Sequence, residues 1–125
     1  MRTISVVTPC FNEEGNVREV YERMRDVMLR LRHYRYEHIF IDNASLDATF
    51  EVLRDIAAAD SNVKVIRNAR NFGHLRSPMH ALLQASGDAV ITLMSDLQDP
   101  PEVLIQLVEQ WEQGVPNRNA TVRTT

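Results

Sequence analysis

Two oxygen-bearing side chains, Asp96 and Gln98, stand two positions apart just after the apolar segment 89–93. In an extended segment alternate residues point the same way, so both can direct an oxygen at one point. Hard divalent cations such as Mg²⁺ and Mn²⁺ require oxygen ligands that converge in this way. A magnesium site commonly uses one or two carboxylates and completes its shell with phosphate oxygens. The spacing therefore predicts a metal site that serves a ligand carrying a diphosphate.

Polar segments follow the three earlier apolar runs as well: "TPCFNEE", "DNASLD" and "RNARNFGH". Residues in these segments also have interpretations that involve no ligand. The acids of 12–14 could only favour the start of a helix, and Ser45 and Asp47 are good helix caps. Cys10 has no base beside it in the sequence and is more simply a packed side chain. Among the histidines, only His74, beside Gly73 at the end of the third polar segment, is a candidate for a functional role.

The elements that must position these residues alternate between two patterns. Short apolar runs predict strands at 4–8, 38–41, 63–66 and 89–93, and apolar positions three and four apart predict helices within 17–31, 50–57, 79–83 and 104–111. Gly87 is expected just past the end of the third helix. This order predicts an α/β fold of βαβ units, with a mainly parallel sheet covered on both faces. The carboxyl ends of parallel strands meet at one edge, where ligands bind.

Composition narrows the choice of function. The chain has 125 residues, a formal charge of −3 and one cysteine. These values favour one soluble domain, expected in the cytoplasm, and give no reason to expect nucleic acid as a partner. No apolar run approaches the roughly 20 residues needed to cross a bilayer. We expect one domain over 1–114, followed by a polar, aperiodic tail, 115–125, that is poorly ordered.

The four motifs, in order and spacing, resemble those of the family 2 inverting glycosyltransferases. The similar segments are "TPCFNEE", "IDNASLDAT", "RNFGH" and "GDAVITLMSDLQDPPE", and the resemblance runs from about Ile4 to about Gly114. It is strongest to the branch of polyprenyl-phosphate sugar transferases. This resemblance implies a GT-A fold, in which a Rossmann-like α/β/α sheet binds a nucleotide sugar through its first half.

The resemblance also implies roles for particular residues. Those expected to line the nucleoside pocket are Pro9, Phe11 and Glu13; Asp42 would contact the base or ribose, with Asn43 where the family often has a second Asp; Asp96 and Gln98 match the metal and diphosphate positions. The implied donor is a nucleotide diphosphate sugar, with UDP favoured and GDP as second candidate. The implied acceptor is a polyprenyl phosphate or a saccharide, and the cofactor is Mg²⁺ or Mn²⁺.

Two features depart from the family pattern. Met94 occupies the first position of the usual Asp-x-Asp, and a methionine is a poor ligand for a hard cation. Metal binding would then rely on Asp96, Gln98 and the phosphates. The resemblance also covers only the first half of the family's domain, so we expect a truncated chain. An incomplete sheet exposes edges and apolar surface, which predicts a homo-oligomer. We expect the protein in the cytoplasm or at the periphery of a membrane.

The sequence leaves open whether the chain is an enzyme. One hypothesis is the donor-binding part of a glycosyltransferase, and the alternative is a catalytically inactive module that binds a nucleotide or self-associates. A phospho-receiver domain is disfavoured because Lys64, the only lysine, is not near the end of a late strand. A dinucleotide-binding dehydrogenase is disfavoured because no Gly-x-Gly-x-x-Gly follows the first strand.

Overall fold

The computed structural model describes residues 2–68, 87–93, 103–114 and 120–122, the last of these by backbone alone. The elements within these residues are β1 (Thr3–Cys10), α1 (Val17–Arg30), β2 (Arg35–Asp42), α2 (Thr49–Ala59), β3 (Val63–Arg67), β4 (Ala89–Thr92), α3 (Val103–Glu112) and β5 (Ala120–Val122). The helix predicted within 79–83 lies outside the described residues.

One sheet joins the five strands in the order β3-β2-β1-β4-β5. The first four are parallel to their neighbours, which confirms the predicted mainly parallel α/β sheet. The chain builds outward from β1 to β3 and then returns to place β4 on the other side of β1. The strand order therefore reverses between β1 and β4, and ligand clefts of open α/β sheets lie at such a point.

The strand β5 was not expected from the sequence. Residues 120–122 belong to the segment 115–125 that was predicted to be poorly ordered, yet they pair antiparallel with β4. The pairing uses backbone N–H and C=O groups, so it requires no hydrophobic pattern in the added strand. The rest of segment 115–125 lies outside the described residues, so its expected poor order stays a prediction.

Both faces of the central strands are buried, which explains their nearly continuous apolar sequence. Alternate residues of β1 point to opposite faces: Ile4 and Val6 belong to the main core with the three helices, and Val7 belongs to a second cluster with Ile39 and Val90. These side chains are at most 3% exposed. Burying one such side chain fully contributes about 1.5–3 kcal/mol. The core thus holds the strand ends in fixed positions.

An aromatic and charged cluster fastens α3 to the opposite edge of the sheet from the polar segments. The Arg2 guanidinium lies 4.4 Å from the centre of the Trp111 ring. The Tyr34 hydroxyl donates a hydrogen bond to the carboxylate of Glu112, the last residue of α3. Burial, followed by this carboxylate, raises the pKa of Tyr34 to about 12. Tyr34 therefore remains a hydrogen-bond donor over the whole physiological pH range.

No helix among the described residues is long and apolar enough to cross a membrane.

Candidate functional site

Three strand ends bring the predicted site residues to one edge of the sheet. Cys10 ends β1 in register with Asp42 at the end of β2, and Asp42 is in register with Arg67 at the end of β3. The nucleoside-pocket candidates lie in or directly after β1, and Asn43 directly follows β2. The polar segments after the first two strands are therefore neighbours in space, as the parallel sheet predicts.

The loops after β1 and β2 are joined by a network of hydrogen bonds. In each bond a backbone N–H donates to a side chain on the other loop: Asn12 to Ser45 Oγ at 2.9 Å, Glu13 to Thr49 Oγ1 at 2.8 Å, Glu14 to Asp47 Oδ2 at 3.3 Å, and Leu46 to Asn12 Oδ1 at 2.8 Å. Backbone donors of residues 12–14, between β1 and α1, are thus satisfied by side chains that follow β2. The two loops form one connected unit.

Two residues of these loops adopt a left-handed backbone conformation. The φ of Asn12 is 53° and that of Ala44 is 61°. Asparagine adopts this region more readily than most residues, whereas alanine carries a steric cost of about 1–2 kcal/mol. Such conformations persist where surrounding contacts determine them, and they concentrate at ligand sites. Nothing in the sequence marked Ala44, because no residue-type preference predicts an alanine here.

Asp42 is the most unusual polar residue of this edge. Its side chain is fully buried, and Oδ1 accepts a hydrogen bond from the Ser45 N–H at 3.2 Å. Oδ2 is buried and has no hydrogen-bond partner in the part of the chain that the structure describes. The Nε of Arg67 lies 3.8 Å from Oδ2, close enough for an ion pair but too far for a hydrogen bond. A buried carboxylate oxygen without a donor is costly and suggests that a ligand supplies one.

Asn43, the next residue, links the ends of β1, β2 and β3 by hydrogen bonds. Its backbone N–H donates to the Cys10 carbonyl at 2.8 Å, and its side-chain Oδ1 accepts a hydrogen bond from Asn68 Nδ2 at 3.3 Å. The Asn68 N–H in turn donates to the Asp42 carbonyl at 2.9 Å. These bonds extend the ladder of the sheet past the ends of β1, β2 and β3. Asn43 therefore fixes the backbone beside Asp42.

A cavity of about 520 Å³ opens beside Asp42, lined by Ala44, Ser45, Leu46, Arg67 and Asn68. This volume lies within the range of small-molecule sites. Two large apolar side chains stand exposed on the loops that carry the site residues: Phe11, 44% exposed, and Leu46, 89% exposed. The lining residues Arg67 and Asn68 were not singled out from the sequence. The available signal was a cation ending β3 beside an acid ending β2.

Other candidates have local roles in the described structure. The Glu13 carboxylate accepts a hydrogen bond from Asn16 Nδ2 at 2.9 Å, next to the start of α1. Asp47 Oδ1 accepts the N–H of Thr49, the first residue of α2, at 2.9 Å. Burial acts to raise the pKa of Asp47, but hydrogen bonds from Thr49 and Glu14 outweigh it and lower the pKa. Neither Asp47 nor Ser45 is the N-cap residue of α2, which is Ala48. Asp47 instead bonds to Thr49 from one position further out, and Ser45 bonds to the other loop.

Cys10 is buried, and its Sγ donates to the Thr8 carbonyl at 3.6 Å, which agrees with a packed side chain. Pro9 is partly buried within β1. His74, Met94, Asp96 and Gln98 lie outside the described residues. No group of three or more His, Cys, Asp or Glu side chains within the described ranges is arranged to hold a metal ion. The predicted metal position therefore rests on the sequence, together with the direction of β4, which runs towards the same edge as β1.

His38 lies in the sheet behind this edge and is 1% exposed. Its Nε2 is 2.8 Å from Thr8 Oγ1, its Nδ1 has no hydrogen-bond partner within the described ranges, and its ring centre lies 3.9 Å from that of Phe40. Burial lowers the pKa of His38 to about 3, against a smaller opposing effect of Asp60. The imidazole is therefore neutral at physiological pH and acts as a packed core residue.

The family model for glycosyl transferase family 2 matches residues 5–119. The chain belongs to this family. It is 37% identical over 110 residues to an uncharacterised glycosyltransferase, YkcC, of Bacillus subtilis, a match that covers 88% of this chain and 34% of the relative. It is 40% identical over 111 residues to a bactoprenol glucosyl transferase of Shigella phage SfV, covering 89% and 36%. The chain thus spans about a third of the length of these relatives.

A solved structure supports the same assignment. Glucosyl-3-phosphoglycerate synthase from Mycobacterium tuberculosis, in complex with Mg²⁺ and uridine diphosphate, superposes with a TM-score of 0.65 at 27% identity. The match covers 88% of this chain and 39% of that chain. The fold is GT-A, as the motif resemblance implied.

Proposed function

We propose that this chain is the donor-binding part of an inverting glycosyltransferase that takes its sugar from a nucleotide diphosphate sugar. The observation that carries the proposal concerns Asp42 Oδ2, a buried carboxylate oxygen at the carboxyl edge of the sheet that has no hydrogen-bond donor among the described residues. A nucleoside offers such donors, from a ring N–H of the base or from a ribose hydroxyl. The cavity beside Asp42 has the size of a small-molecule site, and its mostly apolar lining carries the polar side chains of Ser45, Arg67 and Asn68.

The nucleoside would lie between the two loops joined by hydrogen bonds. Pro9, Phe11 and Glu13 would line its pocket, with the exposed Phe11 ring available to pack on the base. Asp42 would accept the donor hydrogen, and Asn43 would keep the backbone of Asp42 in place. Because the loops are already connected, little conformational entropy is lost when the nucleotide binds. UDP is the favoured diphosphate and GDP the second candidate.

Asp96 and Gln98 would hold Mg²⁺ or Mn²⁺ together with the diphosphate oxygens. Their carboxylate and amide oxygens suit a hard cation, whereas Met94 does not. The bound cation would supply charge neutralisation for the departing diphosphate. The direction of β4 supports this proposal, because β4 is parallel to β1 and ends at the edge where Asp42 lies.

The acceptor would be a lipid phosphate of the polyprenyl type, with a saccharide as second choice. An acceptor oxygen would attack the anomeric carbon from the face opposite the diphosphate, and the bond to the diphosphate oxygen would break, inverting that centre. The name of the phage relative, a bactoprenol glucosyl transferase, supports a polyprenyl acceptor. Inversion is proposed from the motif resemblance.

Calorimetric titration of the chain with UDP and with GDP, each with and without Mn²⁺, tests donor binding. We expect UDP to bind in the presence of Mn²⁺, and Asp42→Asn and Asp96→Ala each to weaken binding at least about tenfold, the effect of one hydrogen bond or ion contact to a charged group. Asp55→Asn, at an exposed position of α2, is the matched control and should bind as the wild type does.

The titration separates the two hypotheses for the chain. Failure of both nucleotides to bind, with or without the cation, would refute donor binding. Binding that is followed by no sugar transfer to a polyprenyl phosphate would favour the inactive nucleotide-binding module instead. The latter outcome has some support, because Met94 replaces a metal-site carboxylate.

A further inference from the structure

Arg67 stands beside Asp42 in a way that neither the motifs nor the proposed function explain. The two residues are register partners at the ends of β3 and β2. The Arg67 Nε lies 3.8 Å from Asp42 Oδ2, and the guanidinium carbon lies 4.4 Å from the centre of the Phe50 ring. Arg67 also lines the cavity beside Asp42. The Arg67 guanidinium thus lies next to Asp42 Oδ2 and to the Phe50 ring, and its side chain also lines the cavity.

The burial of the two partners differs sharply. The Asp42 side chain is 0% exposed, whereas the Arg67 side chain is 52% exposed. Removing a carboxylate from water is costly unless an opposite charge lies nearby, and Arg67 supplies that charge. The pair nevertheless leaves Oδ2 without a hydrogen-bond donor, because 3.8 Å is too long for a hydrogen bond. The charge of Asp42 is compensated while its acceptor capacity stays available.

Phe50 restrains the side chain that provides this compensation. An arginine stacked on an aromatic face is attracted to the ring and keeps a planar orientation that a lysine cannot reproduce. Phe50 is the second residue of α2, whose first residue, Thr49, accepts the hydrogen bond from the loop after β1. The orientation of Arg67 is therefore tied to the same connected loops that form the nucleoside pocket.

We propose that Arg67 is a positioning residue for nucleotide binding and acts through Asp42. It compensates the buried carboxylate without donating a hydrogen bond to Oδ2, so this oxygen stays available to accept a donor from the nucleoside. The inference rests on the proposed function. It goes beyond that function in two ways. It assigns the pre-organisation of the hydrogen-bond acceptor, Asp42 Oδ2, to a residue outside the four motifs, and it makes Phe50 part of the site.

A double-mutant cycle on UDP affinity tests this proposal, measured by calorimetry with Mn²⁺ on Arg67→Met, Asp42→Asn and the double variant. We expect Arg67→Met to weaken binding about tenfold, within the range of coupling between interacting residues. Because Arg67 acts through Asp42, the double variant should bind no more than about threefold more weakly than Asp42→Asn alone. A merely structural role would instead give losses that multiply.

Arg67→Lys retains the charge but lacks the planar stacking group, so its affinity should fall between those of the wild type and Arg67→Met. If Arg67→Met does not fold, Arg67→Lys and Phe50→Leu replace it in the double-mutant cycle. Each should weaken UDP binding in the wild-type background but not in the Asp42→Asn background. Arg54→Met is the matched control: Arg54 is exposed on α2 and pairs with Asp55 at 3.9 Å, and its removal should not change UDP affinity.

The outcomes distinguish this inference from the proposed function. Wild-type binding of UDP together with unchanged affinity in the Arg67 variants would overturn the role of Arg67 and leave donor binding intact. Losses that multiply in the double variant would overturn it as well, since the two residues would then act independently. Failure of the wild type to bind UDP or GDP would overturn the proposed function, and with it this inference.

Discussion

Lowering the pH from 7 to 5 should destabilise the fold through one buried side chain, His38. Its folded-state pKa is about 3, because burial disfavours the charged imidazolium, whereas an unfolded histidine titrates near 6.5. Between these two values the unfolded chain binds a proton that the native chain does not bind. The free energy of unfolding therefore has its full value above pH 6.5 and decreases as the pH falls below it.

The size of the effect follows from this difference in pKa. Each pH unit below 6.5 costs about 1.4 kcal/mol, and the window extends down to about pH 3. The loss between pH 7 and pH 5 is about 2 kcal/mol. That is a large part of the 5–15 kcal/mol typical of a folded domain. Carboxylates add their own pH dependence, so the contribution of His38 must be isolated by comparison.

Urea unfolding followed by circular dichroism, at pH 7, 6 and 5, measures this contribution when the wild type is compared with His38→Phe. The variant keeps a ring beside Phe40 but cannot be protonated, and it loses the contact with Thr8 at every pH. The difference in unfolding free energy, wild type minus variant, should fall by about 2 kcal/mol over this range.

The exposed His33 provides the control for this experiment. In His33→Gln the steep decrease below pH 6.5 should persist, because His38 is unchanged. Parallel curves for the wild type and His38→Phe, with a constant difference from pH 7 to pH 5, would refute the reasoning. They would mean that His38 is protonated in the native state or that it remains accessible to water.

Two further predictions concern packing and one hydrogen bond. A Cβ added at Gly87 would lie 2.5 Å from Ser5 Oγ and 2.7 Å from the Ser5 nitrogen, so Gly87→Ala should lower the unfolding free energy by about 1–3 kcal/mol. Gly15→Ala, where a Cβ meets nothing within 4 Å, is the control, and equal urea midpoints for the two variants would contradict the packing argument. Tyr34→Phe removes the hydrogen bond to Glu112 and should cost about 1 kcal/mol in the same assay, with an unchanged midpoint as the contrary result.

Local patterns in the sequence were sufficient to predict the order of the elements. The strands β1 to β4 and the helices α1 to α3 follow from apolar runs and from periodicity, both of which depend on residues close in the chain. The edge of the sheet that carries the site also followed, because parallel strands place all their carboxyl ends together. Asp42 was identified in this way, as an acid that directly ends an apolar strand.

Contacts between distant residues could not be predicted in the same way. The expected position of Gly87 just past a helix end is not tested by the described residues, but its N–H donates to Ser5 Oγ at 2.8 Å and its missing side chain permits a close approach to β1, neither of which the sequence predicted. Ser45 was interpreted as a cap for α2 but instead accepts a hydrogen bond from Asn12, 33 positions away. Such partners depend on which strands become neighbours, and residue type alone does not specify that choice.

By itself, the sequence determined that this protein has an α/β sheet with a polar edge built from the segments that follow its strands. The tertiary structure alone decided how that edge is organised. It paired Arg67 with Asp42 across β3 and β2, joined the two loops, and left one carboxylate oxygen without a donor from any residue that the structure describes. The physical reason is that secondary structure depends on local periodicity, whereas the balance of a buried charge depends on every group that the fold brings within a few ångströms of it.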